Sequence, residues 1–150
     1  MLVRNYKESD LDDIAQLEKK AFEVGPYSRH ILKKLFRVRS SFNFVVEIDG
    51  KVVGYVLALP LDAESADIES IAVDPGHQGK GIGGILISRI EQEMLRRGHS
   101  VSILEVRDRN TESIGFYKKH GYSEIEHMPT YYHEEFRGSR GAYRMLKRLK

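Results

Sequence analysis

The sequence predicts a mixed α/β fold, a central mixed sheet with helices on its faces. Two observations carry that prediction. Short apolar runs of strand length alternate with segments whose apolar residues recur at the helical period. Two of those runs, residues 43–48 and 51–59, are joined by Asp49-Gly50, a two-residue linker typical of antiparallel hairpins.

Taken in order, residues 2–6 read as a strand. Ser9-Asp10-Leu11-Asp12 resembles a capping box, and Leu11, Ile14, Leu17 and Ala21 then form one apolar stripe of a helix. Gly25-Pro26 breaks it. Ser28 is placed to cap a second, short helix with Ile31, Leu32, Leu35 and Phe36 facing inward. The hairpin follows, then an acidic turn over residues 62–66. Ile68, Ile71, Ala72 and Val73 form the next strand, which Asp74-Pro75-Gly76 stops. Ile82, Leu86, Ile90 and Met94 recur about once per helical turn, and Arg96-Arg97-Gly98 ends that helix. A strand over residues 101–106, a helix over 111–120, a strand over 122–127, a polar loop and a last strand over 142–149 complete the order. No repeat or linker divides the chain, so residues 1–150 are expected to form one domain.

Bulk composition excludes several classes. With 41% hydrophobic and 31% charged residues the chain reads as an ordinary soluble globule. Its net charge of +2 gives no drive toward nucleic acid. The basic C-terminal residues (Arg137, Arg140, Arg144, Lys147, Arg148, Lys150) read as a solvated edge strand and tail. Without cysteine there is no disulfide framework and no thiol nucleophile. The six histidines lack metal-ligand spacing, so no metal is expected. No apolar run reaches membrane-spanning length, and a cytoplasmic location is the default.

The most informative stretch is Gln78-Gly79-Lys80-Gly81-Ile82-Gly83-Gly84, which passes directly from loop to helix. Bare backbone N–H groups at a helix start, with the positive end of its dipole, form a phosphate site. A nucleotide P-loop is excluded because no Gly-Lys-Ser/Thr ending is present. Gly79, Gly81 and Gly84 do match a dinucleotide fingerprint, and Glu105 lies near the position of its ribose acid. However, residues 74–78 intervene between strand and loop, Glu105 lies inside a strand, and too little chain follows for a doubly wound sheet.

Gln78-x-x-Gly81-x-Gly83, after Ile71-Ala72-Val73-Asp74-Pro75, resembles the acetyl-coenzyme A signature of the GNAT N-acetyltransferase superfamily. Leu104-Glu105-Val106-Arg107, Asn110 and the run from Phe116 to Tyr122 resemble its protein N-terminal branch, notably the ribosomal-protein alanine acetyltransferases. The resemblance spans essentially the whole chain. It implies a GNAT fold, with a mixed and mostly antiparallel sheet between helices, and acetyl-coenzyme A as cosubstrate. Residues 79–84 would cradle the pyrophosphate with Gln78 and Asn110 nearby, Lys80 being a solvent-facing neighbour of phosphate. Ile71, Ala72 and Val73 would bond the pantetheine arm and stabilise the oxyanion.

By the same resemblance Glu105 is the base, with Glu69 as alternative, and Tyr117 protonates the departing thiolate beside the cofactor. Tyr27, Tyr131 and Tyr132 would contact the acceptor, a protein or peptide N-terminus. The residues themselves allow plainer roles. Asn110 can be a helix cap, Glu105 can pair with Arg107 or another basic residue, Tyr117 can be packing, and the loop tyrosines can be anchors. The long charged loop after Tyr132 departs from the bacterial ribosomal pattern. Acetylation of lysine side chains or a small amine, and a non-catalytic coenzyme A-binding module, stay open. So does a homodimer.

Overall fold

The computed structural model describes residues 1–150. Seven strands form one sheet in the order β1-β2-β3-β4-β5-β7-β6. They are β1 (Leu2–Arg4), β2 (Phe42–Ile48), β3 (Lys51–Pro60), β4 (Ser65–Val73), β5 (Val101–Arg107), β6 (Ser123–Met128) and β7 (Ala142–Arg148). All neighbours are antiparallel except β4 and β5. Helices α1 (Leu11–Ala21) and α2 (Arg29–Arg37) cover one face; α3 (Ile82–Arg96) and α4 (Thr111–Lys119) cover the other. No helix is long and apolar enough to cross a membrane.

The local chemistry explains most of these elements. Asp49 and Gly50 both adopt positive φ, 52° and 77°, so the two-residue hairpin is built as its sequence demands. The Ser28 hydroxyl accepts from the Ile31 N–H at 3.2 Å, capping α2. Ile82, Leu86, Ile90 and Met94 are all buried, joined by Ile87. Three expectations need correction. At the chain start Asp10, not Ser9, does the capping: its carboxylate accepts from the Lys7 N–H and from Arg4, and Glu8–Asp10 is a 3-10 turn. Ile31 is 44% exposed, because α2 turns only Leu32 and Phe36 fully inward. The last strand is not an edge. β7 lies between β5 and β6, and its Arg144 and Lys147 are held by Glu105, Glu126 and Glu91.

Two features of β4 position the site. It pairs with β5 only from Ser65↔Val101 to Ile68↔Leu104, after which both strands continue without each other. It also bulges against β3 at Glu69, where Ala58 pairs with Ile68 but Leu57 with Ser70. The extra residue reverses the pleat. Ile68 packs with α3, whereas Ala72, which would otherwise share its side, packs with α1 and α2.

The α3 helix lies tightly on β3. A Cβ on Gly54 would stand 3.2 Å from side-chain carbons of Ile82 and Leu86. Gly54→Ala is therefore expected to cost about 1–3 kcal/mol. The readout is a lower urea midpoint at unchanged slope; an unmoved midpoint would show slack between strand and helix.

Candidate active site

Where β4 and β5 part, a cavity of about 540 Å³ runs through the sheet. The end of α1 and the following loop border one side, and α4 with the β6–β7 loop borders the other. On its flanks the outward backbone groups of β4 beyond Ile68 have no strand partner. The Gln78 amide donates to the Val73 carbonyl at 3.4 Å.

Following β4, a 3-10 turn over Pro75–His77 leads to the glycine loop. Gly79 and Gly81 both have φ of 80°, and neither has an atom within 4 Å of where a Cβ would stand. The N–H groups of residues 79–84 find no acceptor within the chain, while the next one, Ile85, bonds the Gly81 carbonyl at 3.1 Å. Six successive free donors at the start of a fifteen-residue helix fit a pyrophosphate. Lys80 is exposed beside them.

Glu105 lies among the cavity-lining residues, on the side of β5 opposite Leu104 and Val106. Its Oε2 accepts from Arg144 Nε at 3.0 Å across the β5–β7 pair. The ion-pair partner is thus Arg144, not Arg107. Glu69, at the bulge, also lines the cavity, and burial together with the Glu105 charge raises its pKa. Asp67, 5% exposed, is the acid that the sequence pattern hid; burial first, and the Glu105 carboxylate second, push its pKa up to about 9. A polar residue between Ala66 and Ile68 reads as the solvent side of a strand, and that side becomes interior only where Glu105, Arg144 and Tyr131 gather around it.

Tyr117 lines the same cavity from α4, and burial raises its pKa. Asn110 caps α4, its Oδ1 accepting from the Ser113 N–H at 3.1 Å, and it also borders the cavity. Tyr132 does so too, and burial pushes it up to about 12. Tyr131 packs edge-on against Tyr132 at 4.9 Å but stays 46% exposed outside the lining. Ala72 is buried toward α1 and α2, pairs with Tyr55 of β3 and is not among the residues that line the cavity.

Two further residues escaped the sequence pattern. Arg107 spans the cavity mouth, with its guanidinium 3.9 Å over the Tyr132 ring, one N–H donating to the Glu134 carbonyl, and Gly25 packed against Nη2. It joins the loop after α1 to the loop after β6. Glu18, 1% exposed, accepts from the Tyr55 hydroxyl, from the Ser70 hydroxyl at 2.9 Å and from the Tyr27 N–H at 2.8 Å. Those bonds fix Tyr27 at the cavity wall.

Burial lifts the Glu18 carboxyl above its ordinary value, and the donated hydrogen bonds oppose this only in part. The folded state thus keeps this proton to higher pH than the unfolded chain. Its contribution to stability is whole below the ordinary value of 4.5 and declines as pH rises through the lifted one. Glu18→Gln cannot ionise, so its stability relative to the wild type is expected to rise with pH from about 4 upward. Thermal unfolding at stepped pH measures this; a constant difference would mean an unshifted carboxyl.

Comparison with known proteins agrees with this geometry. The profile of the Acetyltransferase (GNAT) family matches residues 10–122. An uncharacterised N-acetyltransferase of Methanocaldococcus jannaschii is 32% identical over 135 residues, 89% of this chain and 85% of its own. An N-alpha-acetyltransferase of Sulfurisphaera tokodaii is 31% identical, covering 87% of this chain and 84% of its own. The crystal structure of a ribosomal-protein alanine N-acetyltransferase from Escherichia coli superposes with a TM-score of 0.88 at 26% identity, covering 99% of this chain and 94% of that one. Enzymes of this family use acetyl-coenzyme A, and the six free N–H groups suit its pyrophosphate. The chain belongs to the GNAT family of N-acetyltransferases.

Proposed function

We propose that the protein transfers an acetyl group to the α-amino group of protein or peptide N-termini, by direct transfer with both substrates bound. One observation carries this reading. Glu105 and Tyr117 line one cavity, between Tyr27 on one loop and Tyr132 on the other. The likeness to the Sulfurisphaera N-alpha-acetyltransferase supports the acceptor class.

Acetyl-coenzyme A supplies the thioester when bound, held by the N–H groups of residues 79–84 and by the free edge of β4 over Ile71, Ala72 and Val73. An acceptor ammonium must lose a proton before it can attack. An α-amine with a pKa near ~8 loses it far more readily at neutral pH than a lysine near ~10.4. Glu105, oriented by Arg144, takes that proton. Backbone donors of the β4 edge face the carbonyl oxygen as charge builds on it. Tyr117, kept protonated by burial, holds the proton that the departing thiolate needs. Tyr27 and Tyr132 flank the acceptor chain, with Tyr131 at the solvent side.

Coenzyme A release should occur with peptides bearing free N-termini and not with N-blocked peptides containing lysine, nor with spermidine. Glu105→Gln should lower kcat by about 10²-fold or more, and Tyr117→Phe by at least about tenfold, with the KM for acetyl-coenzyme A little changed. Glu69→Gln should stay active. Equal turnover on blocked peptides or spermidine would overturn the acceptor class; full activity in Glu105→Gln would move the base elsewhere.

A further inference from the structure

Asp67 has no part in the acetyl transfer as described, yet it is 5% exposed and sits in the wall between β4 and β5. Its strand position pairs with Ile103, two residues before Glu105 and on the same face, since Ala66, Ile68, Leu104 and Val106 all turn to the opposite core. No backbone N–H and no basic side chain donates to it, and its Oδ1 is buried without any partner. The Glu105 carboxyl, on the same face of the neighbouring strand, is the group that after burial acts most strongly on it. A carboxylate so placed would be desolvated, unpaired and beside a like charge. The arrangement is relieved if Asp67 carries a proton and donates it to Glu105.

We propose that Asp67 is a positioning residue: it holds a proton shared with the Glu105 carboxylate and, with Arg144 on Oε2, fixes that carboxylate from the two neighbouring strands. The proposal rests on Glu105 being the base. The charged and titratable groups facing the pair are Glu69 on the same strand, Arg144 from β7 with Glu126 on its far side, and Tyr131 and Tyr132 from the β6–β7 loop. Of these only Arg144 is cationic, and it is already engaged by two carboxylates, so nothing nearby compensates a second negative charge at Asp67. The trio of neutral Asp67, Glu105 carboxylate and Arg144 is balanced before the reaction. When Glu105 accepts the acceptor's proton, Asp67 keeps its own, so one proton moves and no co-reactant is needed.

The test uses Asp67→Asn, which retains a neutral donor of the same shape, and Asp67→Leu, which removes it. Asp67→Asn should turn over a free-N-terminus peptide within about threefold of the wild-type kcat. Asp67→Leu should lose about tenfold or more, with the acid limb of the kcat profile moved to higher pH and the KM for acetyl-coenzyme A unchanged. Independently of activity, carbon NMR of the wild type labelled at the aspartate carboxyl should show one carbon in the protonated range from about pH 5 to about pH 8. That signal should vanish in Asp67→Asn. An Asp67 carbon that titrates below about pH 5, or equal losses in both variants with no shift of the limb, would overturn the proposal. Glu105→Gln keeps the two readings apart: activity surviving that change removes the base, whereas an ionised Asp67 removes the shared proton with the base untouched.

Discussion

The structure depends on the parting of two parallel strands. β4 and β5 pair over four residues and then separate, each held in place by its other neighbour, β3 or β7. Backbone groups without partners are costly when buried, so a sheet opened in its middle is stable only where water or a ligand can reach the gap. Connectivity does the rest. A parallel pair requires a crossover, here α3, and that crossover leaves from the end of β4 where the gap opens. The glycine loop and the cleft are adjacent because one chain path makes both.

Carboxyl groups crowd the gap. Glu69, Glu105 and Glu18 line it from three elements, with Asp67 buried beside Glu105, and the cations that answer them are tied down by other contacts. Arg144 is shared between Glu105 and Glu126. Arg107 is turned away from the carboxylates toward the Tyr132 ring and the Glu134 carbonyl, where it acts as a strut between two loops.

Much of this is legible in the sequence, because local chemistry dictates it. The hairpin at Asp49-Gly50, the cap at Ser28, the stripe from Ile82 to Met94 and the free donors after Gln78 follow from residue type and spacing alone. So does the facing of Glu105, since strand alternation turns it away from the core that Leu104 and Val106 enter. Illegible are the features that depend on which strands meet. The placing of β7 between β5 and β6 makes Arg144 the partner of Glu105, and the bulge at Glu69 lets Asp67 and Ser70 occupy one side. Ile31 departs from its pattern because a nine-residue helix can show an apolar stripe wider than the face it buries.

The bulge has an evolutionary consequence. By adding one residue it divides β4 into two stretches of opposite phase. The first sets Asp67 beside Glu105, and the second offers its backbone edge toward the glycine loop. Side chains of the first stretch can change without disturbing the main-chain edge of the second. In a single inserted residue this chain has a seam along which side-chain chemistry and backbone pairing can vary separately.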